Sequence, residues 1–174
     1  GQIAPTIRDA LESIFKNGNP WARIRGKRCE WGQGLNLKHV SQGAEVLYYV
    51  GCTSAYDPRV QSVAKSLAMC FERAGLNFGV LGDEESCCGS EVYGMGEKGL
   101  FDFLVEENMK IFNKYNVKQV VTGCPHGFHA FKNRYNQTSF EPKHNTQLLA
   151  KLIEEKKLTF TKEVNKKVIY HDPC

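Results

Sequence analysis

Three cysteine positions at near-equal intervals constrain this chain more than any other feature. Cys52 ends the strand-like run Val46-Leu47-Tyr48-Tyr49-Val50-Gly51, the vicinal pair Cys87-Cys88 follows a second run at 78–81, and Cys124 ends a third, Gln119-Val120-Val121-Thr122-Gly123. Thirty-four residues separate Cys52 from Cys87, and thirty-five separate Cys88 from Cys124. Each gap has room for one helix and one strand, so the runs read as successive strands of one parallel sheet joined by helical crossovers. Such a sheet brings all four sulfurs to its carboxyl edge, where open α/β sheets bind ligands. The expected fold is a three-layer α/β sandwich with a mainly parallel sheet.

Neighbouring cysteines bridge each other only through a strained small ring. Cys87-Cys88, followed at once by Gly89, therefore reads as two thiolates aimed at one shared object. Four thiolates on one object point to zinc or an iron–sulfur cluster. The competing reading is four ordinary buried thiols, since free cysteine packs well in interiors. Seven cysteines would suit a disulfide framework in a small secreted protein, but the odd count and the vicinal pair fit disulfides poorly. The N-terminal stretch also lacks the apolar core of a signal peptide, which places the chain in a reducing compartment.

With 174 residues, 41% of them hydrophobic and 24% charged, the chain is long enough for one soluble domain with a proper core. No run approaches the roughly 18 apolar residues of a transmembrane helix, so membrane association is expected only through a partner or through sequence outside this chain. The net charge of +4 is mild, and the lysines from Lys143 to Lys167 are scattered, without the basic cluster and interleaved aromatics of a nucleic-acid surface. No Ser/His/Asp set or paired carboxylates argue for hydrolysis.

In chain order, Ile7, Ala10, Leu11, Ile14 and Phe15 recur at helical spacing, and Asn17-Gly18-Asn19-Pro20 stops that helix. Residues 21–42 read as an extended basic connector or interface arm, with Trp21 and Trp31 packing onto the domain body and Cys29 a bystander. Asp57-Pro58 starts a helix that carries Cys70 as a core residue. Gly94-Met95-Gly96-Glu97-Lys98-Gly99 matches the G-x-G-x-x-G pattern of dinucleotide sites, but the cysteine loop separates it from the strand it should follow. Its glycines read instead as close backbone approach to a buried cofactor or as helix-entry geometry. Further helices are expected around 100–112, 128–135 and 147–156, and a fourth strand at 167–170. That last run echoes the first: Val46-Leu47-Tyr48 leads to Cys52 and Val168-Ile169-Tyr170 to Cys174, each with a three-residue gap, as a tandem duplication would produce.

The combined pattern is Cys52, Cys87-Cys88-Gly89, Cys124-Pro125-His126, His144-Asn145-Thr146-Gln147-Leu148-Leu149 and His171-Asp172-Pro173-Cys174. It resembles the CCG, or cysteine-rich, domain of heterodisulfide reductase-like iron–sulfur oxidoreductases, over about residues 46–174. The resemblance implies a 4Fe–4S-type cluster, non-cubane in some members, or zinc in some modules, held by Cys52, Cys87, Cys88 and Cys124. It also implies electron transfer, with disulfide reduction the chemistry of the best-known relatives. The implied partners are a ferredoxin-like domain, a second CCG module, and a redox partner protein or flavoprotein subunit. The implied location is cytoplasmic, including the cytoplasmic face of a membrane.

On this resemblance, residues 1–42 are an N-terminal helix and connector, 43–166 a first CCG domain, and 167–174 the opening strand of a truncated second module. The chain itself starts at Gly1 without an initiator Met and ends at Cys174, as an excised piece of a longer protein would. One position departs from the pattern: the family ends its motif in C-x-x-C, and Gly127 stands at the last cysteine. That loss counts against a five-thiolate cluster and leaves His126 and His129 as imidazole substitutes or as surface hydrogen-bonding groups. Gly127 either faces the pocket in a conformation open to any side chain or holds a positive φ that glycine alone tolerates.

Overall fold

The computed structural model of the protein describes residues 4–136 and 138–171. Asp172, Pro173 and Cys174, and with them the cysteine of the internal echo, lie outside the described residues. Four parallel strands form one sheet: Val46–Tyr48 (β1), Phe78–Gly79 (β2), Gln119–Thr122 (β3) and Glu141–His144 (β4), in the order β2-β1-β3-β4. The helices are Pro5–Asn17 (α1), Cys52–Tyr56 (α2), Pro58–Arg73 (α3), Ser90–Gly94 (α4), Lys98–Lys114 (α5), Pro125–Asn133 (α6) and Asn145–Glu154 (α7).

The strands alternate between two cores, as a period of two requires when both faces are covered. Leu47, Tyr49 and Val120 join Ile14 of α1, Phe101, Leu104 and Phe112 of α5, and Ala130 and Phe131 of α6 on one face. Val46, Tyr48, Val50 and Val121 join Ala64, Leu67, Ala68 and Phe71 of α3, and Leu148 and Leu152 of α7, on the other. The result is the expected three-layer α/β architecture.

Local signals set the helix ends. Asp57 accepts a hydrogen bond from the Arg59 N–H at 2.9 Å, and Pro58, whose missing N–H costs nothing in a first turn, opens α3. Gly18, at φ 68°, closes α1 with its N–H on the Ile14 carbonyl. The G-x-G-x-x-G segment is the turn between two helices: Gly94 ends α4, Gly96 adopts φ 81°, and α5 begins at Lys98. Helix-entry geometry accounts for these glycines.

The sheet differs from expectation at one edge. Residues 167–170 carry no strand, and Val168, Ile169 and Tyr170 are 87%, 94% and 86% exposed. The fourth strand is instead β4, which pairs with β3 from Gln119↔Glu141 to Thr122↔His144. Glu141-Pro142-Lys143-His144 lacks apolar alternation and contains a proline, so it reads as a loop. An edge strand tolerates both features, because only one of its sides is paired.

Residues 21–42 are not merely extended. Three single 3₁₀ turns, at Arg25–Lys27, Glu30–Gly32 and Val40–Gln42, fold this tract against the sheet. The Val40 N–H donates to the Val80 carbonyl, and the Val80 N–H to the Lys38 carbonyl, each at 3.0 Å. Trp31 is buried edge-on against Tyr48, with ring centroids 5.8 Å apart, whereas Trp21 stays half-exposed. Trp31→Ala is therefore expected to lower stability by about 3–5 kcal/mol in urea unfolding, the cost of emptying a large aromatic site in a core; a change below about 1 kcal/mol would mean that the tract is not part of the folded unit.

Candidate metal centre

The order β2-β1-β3 places a topological switch point between β1 and β3, where the chain leaves β1 on one side for β2 and returns on the other as β3. Crevices outside the carboxyl ends of such strands are where open α/β sheets hold ligands. Cys52 follows β1 there and Cys124 follows β3; a Cβ on Gly51 would lie 3.7 Å from that of Cys124. Cys87 and Cys88 arrive from the loop after β2. All four thiols line one cavity of about 200 Å³, walled by Ala10 and Ile14 of α1 and edged by Trp21 and Met95.

The structure thus brings together the four cysteines singled out in the sequence and leaves Cys29 and Cys70 elsewhere. Cys29 lines a different cavity, and Cys70 sits half-buried on α3. His126 lies at the cavity with its Nδ1 2.7 Å from the Glu91 carboxylate, and His129 sits on α6 away from it.

Each cysteine of the cavity lies at or shortly before the start of a helix. Cys52 opens α2, Cys87-Cys88-Gly89 leads into α4, and Cys124 caps α6, its sulfur accepting from the Gly127 N–H at 3.5 Å. The Gly89 N–H donates to the Cys87 sulfur at 3.4 Å. Partial positive charge at helix starts favours thiolate over thiol. Gly89 must be glycine: it holds φ 80°, and a Cβ there would come within 2.8 Å of the Phe101 ring.

A buried scaffold that sequence reading missed fixes the vicinal pair. Arg28 is 2% exposed and ion-paired to Glu85 at 2.8 Å. It also donates to the Cys52 sulfur at 3.6 Å and to the Ser86 carbonyl at 3.3 Å. Glu85 in turn accepts from the backbone N–H groups of Val50 and Gly51, both at 2.9 Å. The Tyr49 hydroxyl donates to the same Ser86 carbonyl. Asn108 donates to the Cys87 carbonyl at 2.9 Å, and Tyr135 donates to the Cys88 carbonyl at 3.1 Å. Three successive carbonyls are thus each held by a buried side chain. Asn108 had a signal in the sequence: it is a polar residue on the Leu104-Asn108-Phe112 stripe of α5. Arg28 had none, because it lies in a run with Arg23, Arg25 and Lys27 that reads as solvated.

Burial and mutual contacts raise the pKa values of three of the site thiols, Cys52, Cys87 and Cys124. The Cys52 thiol is pushed up by its hydrogen bond to Cys87 and by burial, against the pull of Arg28. The bond from Cys52 lowers Cys87, but its contact with Cys88 and its burial together raise it further. Burial raises Cys124, against the N–H groups of Gly127 and His126. Any metal bound here displaces protons.

Residues 46–132 match a protein family described as the CCG cysteine-rich domain. This chain belongs to the CCG family. The CCG match spans all four cysteines of the cavity. Among curated proteins, the chain is 36% identical to the EtfAB:quinone oxidoreductase of Syntrophomonas wolfei, an alignment covering 100% of this chain and 26% of that protein. It is 32% identical to the probable iron-sulfur-binding oxidoreductase FadF of Bacillus subtilis, again over 100% of the chain and 26% of the relative. It is 32% identical to one of the subunits of the dihydromethanophenazine:CoB--CoM heterodisulfide reductase of Methanosarcina barkeri, over 90% of the chain and 39% of the relative. The chain therefore spans between a quarter and two-fifths of these relatives. No solved structure matches it.

Two outcomes follow from the geometry of the CCG domain. Gly127 has no positive φ, and a Cβ there would meet only ordinary contacts at 3.7 Å, from Cys124 and Thr122. Gly127→Cys is expected to fold with a stability change under about 1 kcal/mol and, on reconstitution with iron and sulfide, to change the iron stoichiometry or spectrum; an unchanged spectrum in the folded variant would remove this position from the site. Arg28→Met leaves the Glu85 carboxylate buried without its cation and is expected to cost about 3–5 kcal/mol in denaturant unfolding.

Proposed function

We propose that this chain is an iron–sulfur electron-transfer module of a heterodisulfide reductase-like oxidoreductase, with the cluster held by Cys52, Cys87, Cys88 and Cys124. The observation that carries this reading is the convergence of four thiols, from the ends of three parallel strands, on one cavity at the switch point.

The spread of the donors favours a cluster over a single ion. Four thiolates bound at about 2.3 Å to one tetrahedral zinc ion would stand about 3.8 Å apart. Among the described residues, the group of metal-binding side chains whose ligand atoms all lie within 4.8 Å of one another is Cys87, Cys88 and Glu91, and Cys52 and Cys124 stand outside it. A single zinc would need Cys52 and Cys124 both to close in on the vicinal pair. The names of two relatives, one an iron-sulfur-binding oxidoreductase and one part of a heterodisulfide reductase, agree with this chemistry.

When bound, a cluster of this type supplies a one-electron carrier. The protein holds the sulfurs in place, donates N–H groups to them from Gly89 and Gly127, sets a guanidinium beside Cys52, and excludes water with Ala10, Ile14 and Tyr49. The half-exposed rim at Trp21 and Met95 is where an electron donor or acceptor approaches. We assign residues 43–166 to a first CCG module. The exposed run 167–170, rich in β-branched and aromatic side chains, is the opening strand of a second module, paired in a sheet beyond this chain. A ferredoxin-like domain and a redox partner or flavoprotein subunit complete the electron path in the parent protein. The working location is cytoplasmic, including the cytoplasmic face of a membrane; no described helix is long and apolar enough to cross a membrane.

Anaerobic purification with metal analysis and EPR tests the reading. The expected result is iron and sulfide in the protein, a visible absorption band, an EPR signal in one oxidation state, and loss of all three in Cys88→Ser. Stoichiometric zinc without iron would replace the proposal with a structural zinc module, and a metal-free, colourless protein after anaerobic reconstitution would refute both.

A further inference from the structure

The vicinal cysteines lead directly into α4, which places Glu91 two residues beyond Gly89. Its carboxylate reaches back to the site, with its oxygen and the Cys87 and Cys88 sulfurs all within 4.8 Å of one another. Both sulfurs belong to buried residues, whereas the Glu91 side chain is 48% exposed. One oxygen and two sulfurs at that range are donors within reach of a single metal centre.

A second observation concerns the partner of Glu91. His126 approaches the carboxylate from α6, with its Nδ1 at 2.7 Å, two residues after Cys124 and one before Gly127. Glu91, His126 and Gly127 line the same cavity as the four thiols. The residue that lacks a ligating side chain is thus the chain neighbour of the residue that holds the carboxylate in place.

We propose that Glu91 is an oxygen ligand of the metal centre, filling the place in the donor set left open by Gly127, with His126 as its positioning residue. The centre then has four sulfur donors on its protein side and one oxygen donor on its solvent side. Carboxylate is a harder and weaker partner for iron than thiolate, so the outward-facing position is the most exchangeable one. His126 restrains the carboxylate, as hydrogen-bonding groups behind metal ligands commonly do. The inference rests on the four cysteines being ligands, and its test separates the two claims.

The chain and its variants Glu91→Gln, His126→Gln and Cys88→Ser are reconstituted anaerobically with ⁵⁷Fe and sulfide. Iron per chain, the Mössbauer spectrum and the rate of iron loss to a chelator are then measured, with circular dichroism as the folding control. Because Glu91 and His126 are both more than two-fifths exposed, their variants are expected to fold as the parent does. Glu91→Gln is expected to lose one iron environment from the Mössbauer spectrum and to release iron about tenfold faster or more; His126→Gln is expected to keep that environment and speed release less. Cys88→Ser is expected to take up little iron. If Glu91→Gln matches the parent in spectrum and release rate while Cys88→Ser loses its iron, Glu91 is not a ligand and the cysteine site stands. A parent that takes up no iron, or a Cys88→Ser variant that loads normally, overturns both claims.

Discussion

The Arg28–Glu85 pair is the contact on which the rest of the site depends. A guanidinium and a carboxylate taken out of water together must find nearly all their hydrogen bonds inside the protein, and these two do. Glu85 directs its oxygens to Arg28 and to the N–H groups of Val50 and Gly51, which ties the end of β1 to the loop after β2. Arg28 directs its donors to Glu85, the Ser86 carbonyl, the Gly18 carbonyl and the Cys52 sulfur. One ion pair therefore links the end of α1, the 21–42 tract, the first cysteine and the approach to the vicinal pair. It also puts a fixed positive charge where thiolates must gather, so the electrostatic and mechanical functions reside in the same atoms.

The site is built as a convergence of chain ends. β1 and β2 end before their apolar runs do, and the chain beyond them leads to Cys52 and to the vicinal pair. β1 ends at Tyr48 although Tyr49 and Val50 continue its alternating burial. Helices begin at or just after the cysteines, so the N–H groups left unpaired at helix starts face the sulfurs. Asn108 of α5 and Tyr135, just beyond α6, then take up the carbonyls of the vicinal pair. Without them, burying those carbonyls would carry the cost of unmade hydrogen bonds.

Much of this was legible in the sequence, and the parts that were not share a cause. The strands ending in Cys52 and Cys124, the helix from Pro58 and the grouping of four of the seven cysteines followed from periodicity and spacing, because each is encoded within a short window. β4 was not legible, because Glu141 and Pro142 are permitted there only by the sheet edge, a property of the assembled fold. Arg28 and Glu85 were not legible, because each alone reads as a surface charge, and only the folded chain brings together two residues so far apart in sequence. Glu91 was hidden for the same reason. It stands three residues from Cys88 in the sequence, yet its bearing on the site comes from the direction of α4 and from His126.

The exposed run at 168–170 has a consequence of another kind. Val168, Ile169 and Tyr170 are β-formers that lie on no core and pair with no strand among the described residues. A segment of this composition with free backbone groups is a template for strand addition, including by another copy of itself. Lys166 and Lys167, just before it, supply charge that opposes such self-association. The same few residues can therefore act as an adhesive end when this chain is handled alone and at high concentration, and solubility would depend on salt, which screens the two lysines.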